Sequence, residues 1–254
     1  MLLEEKNKHQ RDERCIFDEE PHIYYIDGKN DNISVTTLVH NHLFPHFDAD
    51  KIINNMMKSK KWNQSKYYGM TKQEIKDMWE QNKNESASQG TFLHLCIEYY
   101  YNQQSKEINS IEYQYFLKFQ NDIGKHLIPY RTEWVVFDEE VKLCGSIDMI
   151  FKQTEDDDTN LIIYDWKRTK KITEYSNETG YEPLQHLPNC NFWHYSLQLN
   201  IYKRILEKNY DKKVIDMYLL VLHPDNQNYI RKKVPVMTDE IDYIWELRKR
   251  MLLS

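Results

Sequence analysis

The sequence is short of the residues that mark the simplest structural classes. Only 6 of its 254 residues are Gly and 7 are Pro, which excludes collagen-like and Gly/Pro-rich low-complexity chains. Four cysteines are present, Cys15, Cys96, Cys144 and Cys190, none of them in a C-x-x-C pair. Zinc-ribbon spacing is therefore absent, and free thiols in a reducing compartment, cytoplasm or nucleus, are expected. No apolar run approaches the ~20 residues that cross a bilayer. The charged N-terminus MLLEEKNKHQRDER carries acids and is neither a secretory signal nor a transit peptide, so neither secretion nor a membrane partner is expected. A G-x-x-x-x-G-K-[ST] phosphate loop is missing too, so no ATP engine is expected. Basic excess is also lacking: 34 Lys+Arg against 40 Asp+Glu leave a formal charge of -6. That balance argues against non-specific binding of polyanions, but not against a local basic groove or a metal site that reverses the local sign.

Aromatics, by contrast, are plentiful, with 19 Tyr, 9 Phe and 6 Trp. Disordered chains lack such content. The length suits one large domain or two small ones, enough to bury a core without disulfide or metal staples.

Periodicity then orders the chain. Residues 1 to about 15 are charged and read as frayed. A β-rich run from His22 ends in the turn pair Asp27-Gly28, and Ser34, Thr36 and Thr37 are placed to cap a helix over 37–42. Ile52, Ile53, Met56 and Met57 form a helical stripe. Thr71 with Glu74 makes a capping box for a helix to Lys83, and a second helix is expected to resume after Ser86 and run to Tyr101. A helix over 110–127 follows, then strands over 133–137, 142–151 and 161–166 and a long loop or lid over 170–191. A helix over 192–208, strands over 214–222 and 229–236 and a closing helix over 239–253 complete the order. One mixed sheet flanked by helices is expected. Residues 1–85 are expected to form an N-terminal β-hairpin and helical subregion contributing to a substrate channel, and 86–254 the core.

Three local features carry chemistry. Gly145-Ser-Ile-Asp148 is followed by Tyr164-Asp165-Trp166-Lys167, and Asp165 and Lys167, two apart on a strand, share a face. If the two strands pair, two carboxylates and an ammonium converge, which suits a hard divalent cation and phosphodiester hydrolysis. His94-Leu-Cys-Ile-Glu98 and Gln198-Leu-Asn-Ile-Tyr202 each place two polar side chains on one helix face. Taken singly, each has an ordinary reading: a salt bridge at a strand end, a solvated His–Glu pair, and the polar edge of a core helix.

Their order resembles the PD-(D/E)XK nuclease superfamily: Gly90-x-x-x-His94, Gly145-x-x-Asp148, Asp165-x-Lys167, then Gln198-x-x-x-Tyr202. It is most similar to the RecB, Cas4 and lambda-exonuclease group. Ser34-Val-Thr-Thr37 and Ile163-Tyr-Asp-Trp-Lys167 resemble the mitochondrial genome maintenance exonuclease type, and the segment Pro183–Tyr202 resembles proteins of large DNA viruses. The resemblance implies a restriction-endonuclease-like α/β core and a divalent-metal-dependent DNA exonuclease acting on free ends or single strands in replication, repair or recombination. It implies metal ligation of one or two Mg²⁺ or Mn²⁺ ions by His94, Asp148, Asp165 and the Trp166 carbonyl, with Glu98 a candidate further ligand and Glu133 a support. Lys167 would position the attacking water. Gln198 and Tyr202 would hold the active site or the scissile strand, and Ser34, Thr36 and Thr37 would contact phosphates. Asp165 stands where Glu is commoner. No cysteine follows Cys190, so the iron–sulfur cluster of some relatives is not expected. Arg168, Lys170 and Lys171, with the lysines of 58–66, could track phosphates, and Trp62, Tyr67, Tyr68, Tyr99–Tyr101 and Trp193 could stack on unpaired bases. Two alternatives stay open: an endonuclease, on DNA or in a cap-snatching-like manner on RNA, and a non-catalytic nucleic-acid-binding module. The sequence carries no signal of oligomeric state.

Overall fold

The computed structural model describes residues 1–18, 23–104 and 108–253; the expected strand start at His22 lies outside them. The elements run α1 (Leu3–Lys6), β1 (Cys15–Asp18), β2 (Ile23–Ile26), β3 (Ile33–Ser34), α2 (Val35–Leu38), α3 (Ala49–Lys58), α4 (Lys72–Tyr101) and α5 (Ile111–Asp122). Then come β4 (Ile128–Asp138), β5 (Leu143–Lys152), β6 (Asn160–Lys167), α6 (Asn191–Asn209), β7 (Lys213–Val221), β8 (Ile230–Lys233) and α7 (Thr238–Leu253). No described helix is long and apolar enough to cross a membrane. All four cysteines are free.

The chain folds as two compact units, one made of Met1–Pro45 with Leu93–Ser254 and the other of His46–Phe92. The first contains the expected mixed sheet. β4 lies antiparallel along one edge of β5, and β6 pairs antiparallel with β5, parallel with β7, which pairs antiparallel with β8. The short β3 runs parallel to the start of β5, at Leu143 and Cys144. Because β6 pairs only with residues 149–152 of β5, the edge of β5 between β3 and β6 has no strand beside residues 145–148. That gap in the sheet is where the motif Gly145–Asp148 falls.

Both faces of the sheet are covered. One core holds Leu143, Ile147, Ile150, Leu161 and Ile163 of the strands against Leu197, Ile201 and Ile205 of α6 and Ile241, Ile244 and Trp245 of α7. The other holds Met149, Phe151, Ile162, Tyr164 and Trp166 against Leu93, Cys96 and Ile97 of α4 and Phe116 and Phe119 of α5. Burying each such side chain stabilises the fold by about 1.5–3 kcal/mol. Strands covered on both faces read as continuous apolar runs, which is why Leu161–Tyr164 is legible in the sequence.

Some local readings hold and some change. Asp27 and Gly28 both have positive φ (50° and 75°), the backbone of a tight type I′ turn. Ser34 caps α2, its Oγ accepting from Thr37 N at 3.0 Å. The capping box is complete: Thr71 N donates to Glu74 Oε2 (2.6 Å) and Glu74 N to Thr71 Oγ1 (3.2 Å). The expected break near Ser86 is absent, because α4 runs unbroken from Lys72 to Tyr101. Residues 81–89 are exposed, and a polar stretch without proline continues a helix in water. Nor are residues 1–15 frayed: Asp12 accepts hydrogen bonds from Arg131 Nη1 (2.7 Å) and Trp134 Nε1 (2.8 Å), pinning the N-terminus to β4. The 170–191 segment has neither helix nor strand up to Cys190, yet Leu184 and Leu187 are buried.

Candidate active site

The site begins with strand register. β5 and β6 pair Met149 with Tyr164, so one step further sets Asp148 opposite Asp165. On the other side, Thr132 pairs with Met149 and Trp134 with Ile147, which sets Glu133 opposite Asp148. Three acids thus fall in a row across β4, β5 and β6. Glu133 has a positive φ of 42°, a left-handed kink in mid-strand that re-aims its side chain. Its Oε2 accepts from Ser146 Oγ at 2.8 Å.

Helix α4 adds an imidazole. His94 Nδ1 lies 3.6 Å from Glu133 Oε1 and 3.7 Å from Asp148 Oδ2. Its Nε2 lies 3.0 Å from the Trp166 carbonyl oxygen, to which it donates. The Trp166 N–H in turn donates to Asp148 Oδ2 at 2.7 Å, replacing the strand hydrogen bond that β6 no longer makes there. Lys167 Nζ lies 2.7 Å from Asp165 Oδ2 and 4.5 Å over the ring of Tyr195.

Titration follows from this crowding. Burial alone would lower the His94 pKa, but Asp148 and Glu133 outweigh it and raise it to about 9. Burial raises the Asp148 pKa, with Glu133 adding to the rise. Burial and the charge of Asp148 lift Asp165 to about 6 against the opposing pull of Lys167. Lys167 is held charged: burial opposes this, but Asp165 and Asp148 raise its pKa.

The donor set fits a hard divalent cation. His94, Glu133 and Asp148 offer ligand atoms within 4.8 Å of one another. The Trp166 carbonyl, 3.0 Å from His94 Nε2, lies at the edge of the same cluster. Most donors are oxygens and one is imidazole, as Mg²⁺ or Mn²⁺ accept. Without a cation, the acids hold a proton on His94 instead.

On the far side, Tyr202 of α6 packs on Gly145. A Cβ at that position would stand 2.6 Å from the Tyr202 hydroxyl, so the glycine of the strand motif is there to admit the tyrosine. Gln198 Nε2 donates to that hydroxyl at 3.3 Å. An open cleft of about 460 Å³ is lined by Ser34, Thr36, Thr37, Asp148, Gln198 and Tyr202, together with Tyr24, His40 and Asn41.

The structure therefore brings together His94, Asp148, Trp166, Asp165, Lys167, Gln198 and Tyr202, with Ser34, Thr36 and Thr37 in the same cleft. Glu98, one turn beyond His94, lines a neighbouring cavity of about 150 Å³ with Glu133 and Asn102. Arg168 is paired with Glu112 at 2.7 Å and half-buried, and Lys170 is paired with Asp225 at 2.6 Å. Gly90 makes no close approach, since nothing lies within 4 Å of where its Cβ would be. Tyr195 and His40 are the residues that sequence reasoning missed. Tyr195 sits three residues before Gln198, on the same helix face; His40 stands three and four residues after Thr37 and Thr36.

A covered mixed sheet thus gathers three carboxylates, an imidazole and one lysine at a gap between strands. The profile of the PD-(D/E)XK nuclease superfamily matches residues 71–251, and the chain belongs to that superfamily. No curated protein matches it by sequence. Eighteen chains of solved structures are similar to it in fold. One is SSO0001, at 17% identity and a TM-score of 0.37, covering 88% of this chain and 77% of that one. Another is a candidate exonuclease from Eubacterium rectale, at 8% identity and a TM-score of 0.34, covering 54% of this chain and 48% of that one.

Proposed function

We propose that the protein is a divalent-metal-dependent DNA exonuclease that acts on free ends or single strands in replication, repair or recombination. The observation that supports this best is the row Glu133, Asp148 and Asp165 beside Lys167, with His94 closing the cluster. His94, Asp148, Asp165 and the Trp166 carbonyl would hold the cation, with Glu133 beside them and Glu98 a further ligand. When bound, Mg²⁺ or Mn²⁺ polarises a phosphate oxygen and lowers the pKa of a water.

The chain's own residues do the rest. Lys167, charged at neutral pH, orients the attacking water and offsets charge on the phosphate in the transition state. Asp165 and the Tyr195 ring fix the ammonium between them. Gln198 and Tyr202 hold the scissile strand against the open edge of β5, while Ser34, Thr36 and Thr37 contact phosphates through hydroxyl and backbone N–H groups. By this reading Arg168 and Lys170 lie along the path of the strand. The His94 helix and the Gln198–Tyr202 pair favour the RecB, Cas4 and lambda-exonuclease branch.

The test is digestion of end-labelled single-stranded, duplex and circular DNA with Mg²⁺ or Mn²⁺. Loss of linear DNA from an end, with circles intact, supports the exonuclease. Cleavage of a closed circle, or a preference for RNA, replaces it with an endonuclease at the same site.

A further inference from the structure

Residues 51–73 hold six lysines and no acid, in a chain whose formal charge is -6. They lie in the unit His46–Phe92. Inside that unit Ile53 and Ile75 are fully buried. Trp79 Nε1 donates to the Tyr67 hydroxyl at 2.8 Å, and Phe47 packs on Trp79 at 5.7 Å between rings.

Between α3 and α4 the chain runs as consecutive turns. Trp62 N donates to Ser59 O, Gln64 N to Lys61 O, Ser65 N to Trp62 O and Tyr68 N to Ser65 O. The segment is thus shaped before anything binds. Lys58, Lys60, Lys61 and Lys66 are exposed and pair with no acid among the described residues, whereas Lys76 in the same unit pairs with Asp50 at 2.7 Å. Trp62 and Tyr68 stand edge to face at 6.1 Å between rings, with Tyr68 62% exposed.

Ammonium groups with no acid beside them, interleaved with the exposed Tyr68 ring and the half-buried Trp62 ring, suit a polyanion that also offers flat apolar faces. Single-stranded nucleic acid has both, because its bases are free to stack; a duplex hides those faces, and an acidic peptide has few. We propose that residues 58–68 form a binding surface for single-stranded nucleic acid. Lys58, Lys60, Lys61 and Lys66 contact phosphates, and Trp62 and Tyr68 stack on bases. This rests on the nuclease reading and names the form of strand the protein holds.

The experiment is fluorescence anisotropy of a labelled oligothymidylate with the full chain in EDTA, across a salt series. K60Q/K61Q/K66Q is expected to lower the slope of log affinity against log salt by about 2, at roughly 0.7 per lost phosphate contact on a single strand. K60R/K61R/K66R keeps the wild-type slope. W62A/Y68A loses affinity roughly thirtyfold or more with the slope unchanged. Wild-type affinity and slope in both the glutamine and the aromatic variants overturn the proposal. So does an equal loss of binding to a blunt duplex of the same length, or a loss confined to phosphatidylserine vesicles. Cleavage with Mg²⁺ or Mn²⁺ is read in parallel. A wild type that binds through these residues yet cleaves nothing removes the nuclease reading and supports this surface. A wild type that cleaves, with variants that bind like it, removes this surface alone.

Discussion

Asp148 is tied to Trp166 by a backbone-to-carboxylate hydrogen bond of 2.7 Å, from the N–H of the residue whose carbonyl faces His94. One residue of β6 therefore sets both an acid of β5 and an imidazole of α4. The bond forms where β6 stops pairing with β5, so the gap in the sheet and the order of the site have one cause.

His94 gives the site a pH signature. With its pKa raised from 6.5 to about 9 by Asp148 and Glu133 against the effect of burial, it holds a proton at pH 7. A cation held by His94 would need the neutral ring, so its binding would release that proton. Calorimetric affinity for Mn²⁺ is expected to rise between pH 7 and 9, and the His94→Asn variant to lose most of that rise. The sign for stability is opposite. In metal-free protein the charged pairing is fully present below 6.5 and lost as pH rises through about 9.

Gly145 and Tyr202 are expected to be coupled. Gly145→Ala brings a Cβ to 2.6 Å from the tyrosine hydroxyl, an overpacking that costs about 1–3 kcal/mol. Adding Tyr202→Phe removes the nearest atom and is expected to recover part of that loss. Urea denaturation of the two single variants and the double variant checks it.

Asp12 is expected to anchor the N-terminus. Burial works against its charge, but hydrogen bonds from Arg131, the His9 backbone and Trp134 hold its pKa below the usual 3.8. Its contribution is present above that value and disappears as pH falls through the lower folded value. Asp12→Asn is expected to cost about 2–3 kcal/mol at pH 7, a gap that closes toward pH 2. Urea midpoints across that range measure it.

Much of this was legible in the sequence, for physical reasons. The strands over 133–166 are covered on both faces and so write themselves as apolar runs, and Thr71 with Glu74 announces a helix start by its own hydrogen bonds. The order of His94, Asp148, Asp165, Lys167, Gln198 and Tyr202 carried the site. What stayed hidden depends on register and tertiary contact. Glu133, read from the sequence only as a support, stands in the cluster itself because β4 pairs with β5 one step from Asp148 and kinks there. Tyr195 faces Lys167 only once α6 lies on the sheet. Arg168 reads as free until Glu112 on a distant helix takes it. The continuity of α4 past Ser86 is hidden because exposed polar residues suit a helix and a loop alike.

The most direct measurement is cleavage of end-labelled linear DNA with Mg²⁺ or Mn²⁺ by the wild type, Lys167→Ala and Asp148→Asn, each checked for an unchanged fold by circular dichroism. Expected are metal-dependent digestion by the wild type, its arrest by EDTA, and a loss of about a hundredfold or more in both variants. Folded variants that cut as fast as the wild type would contradict the assignment of this cluster as the active site.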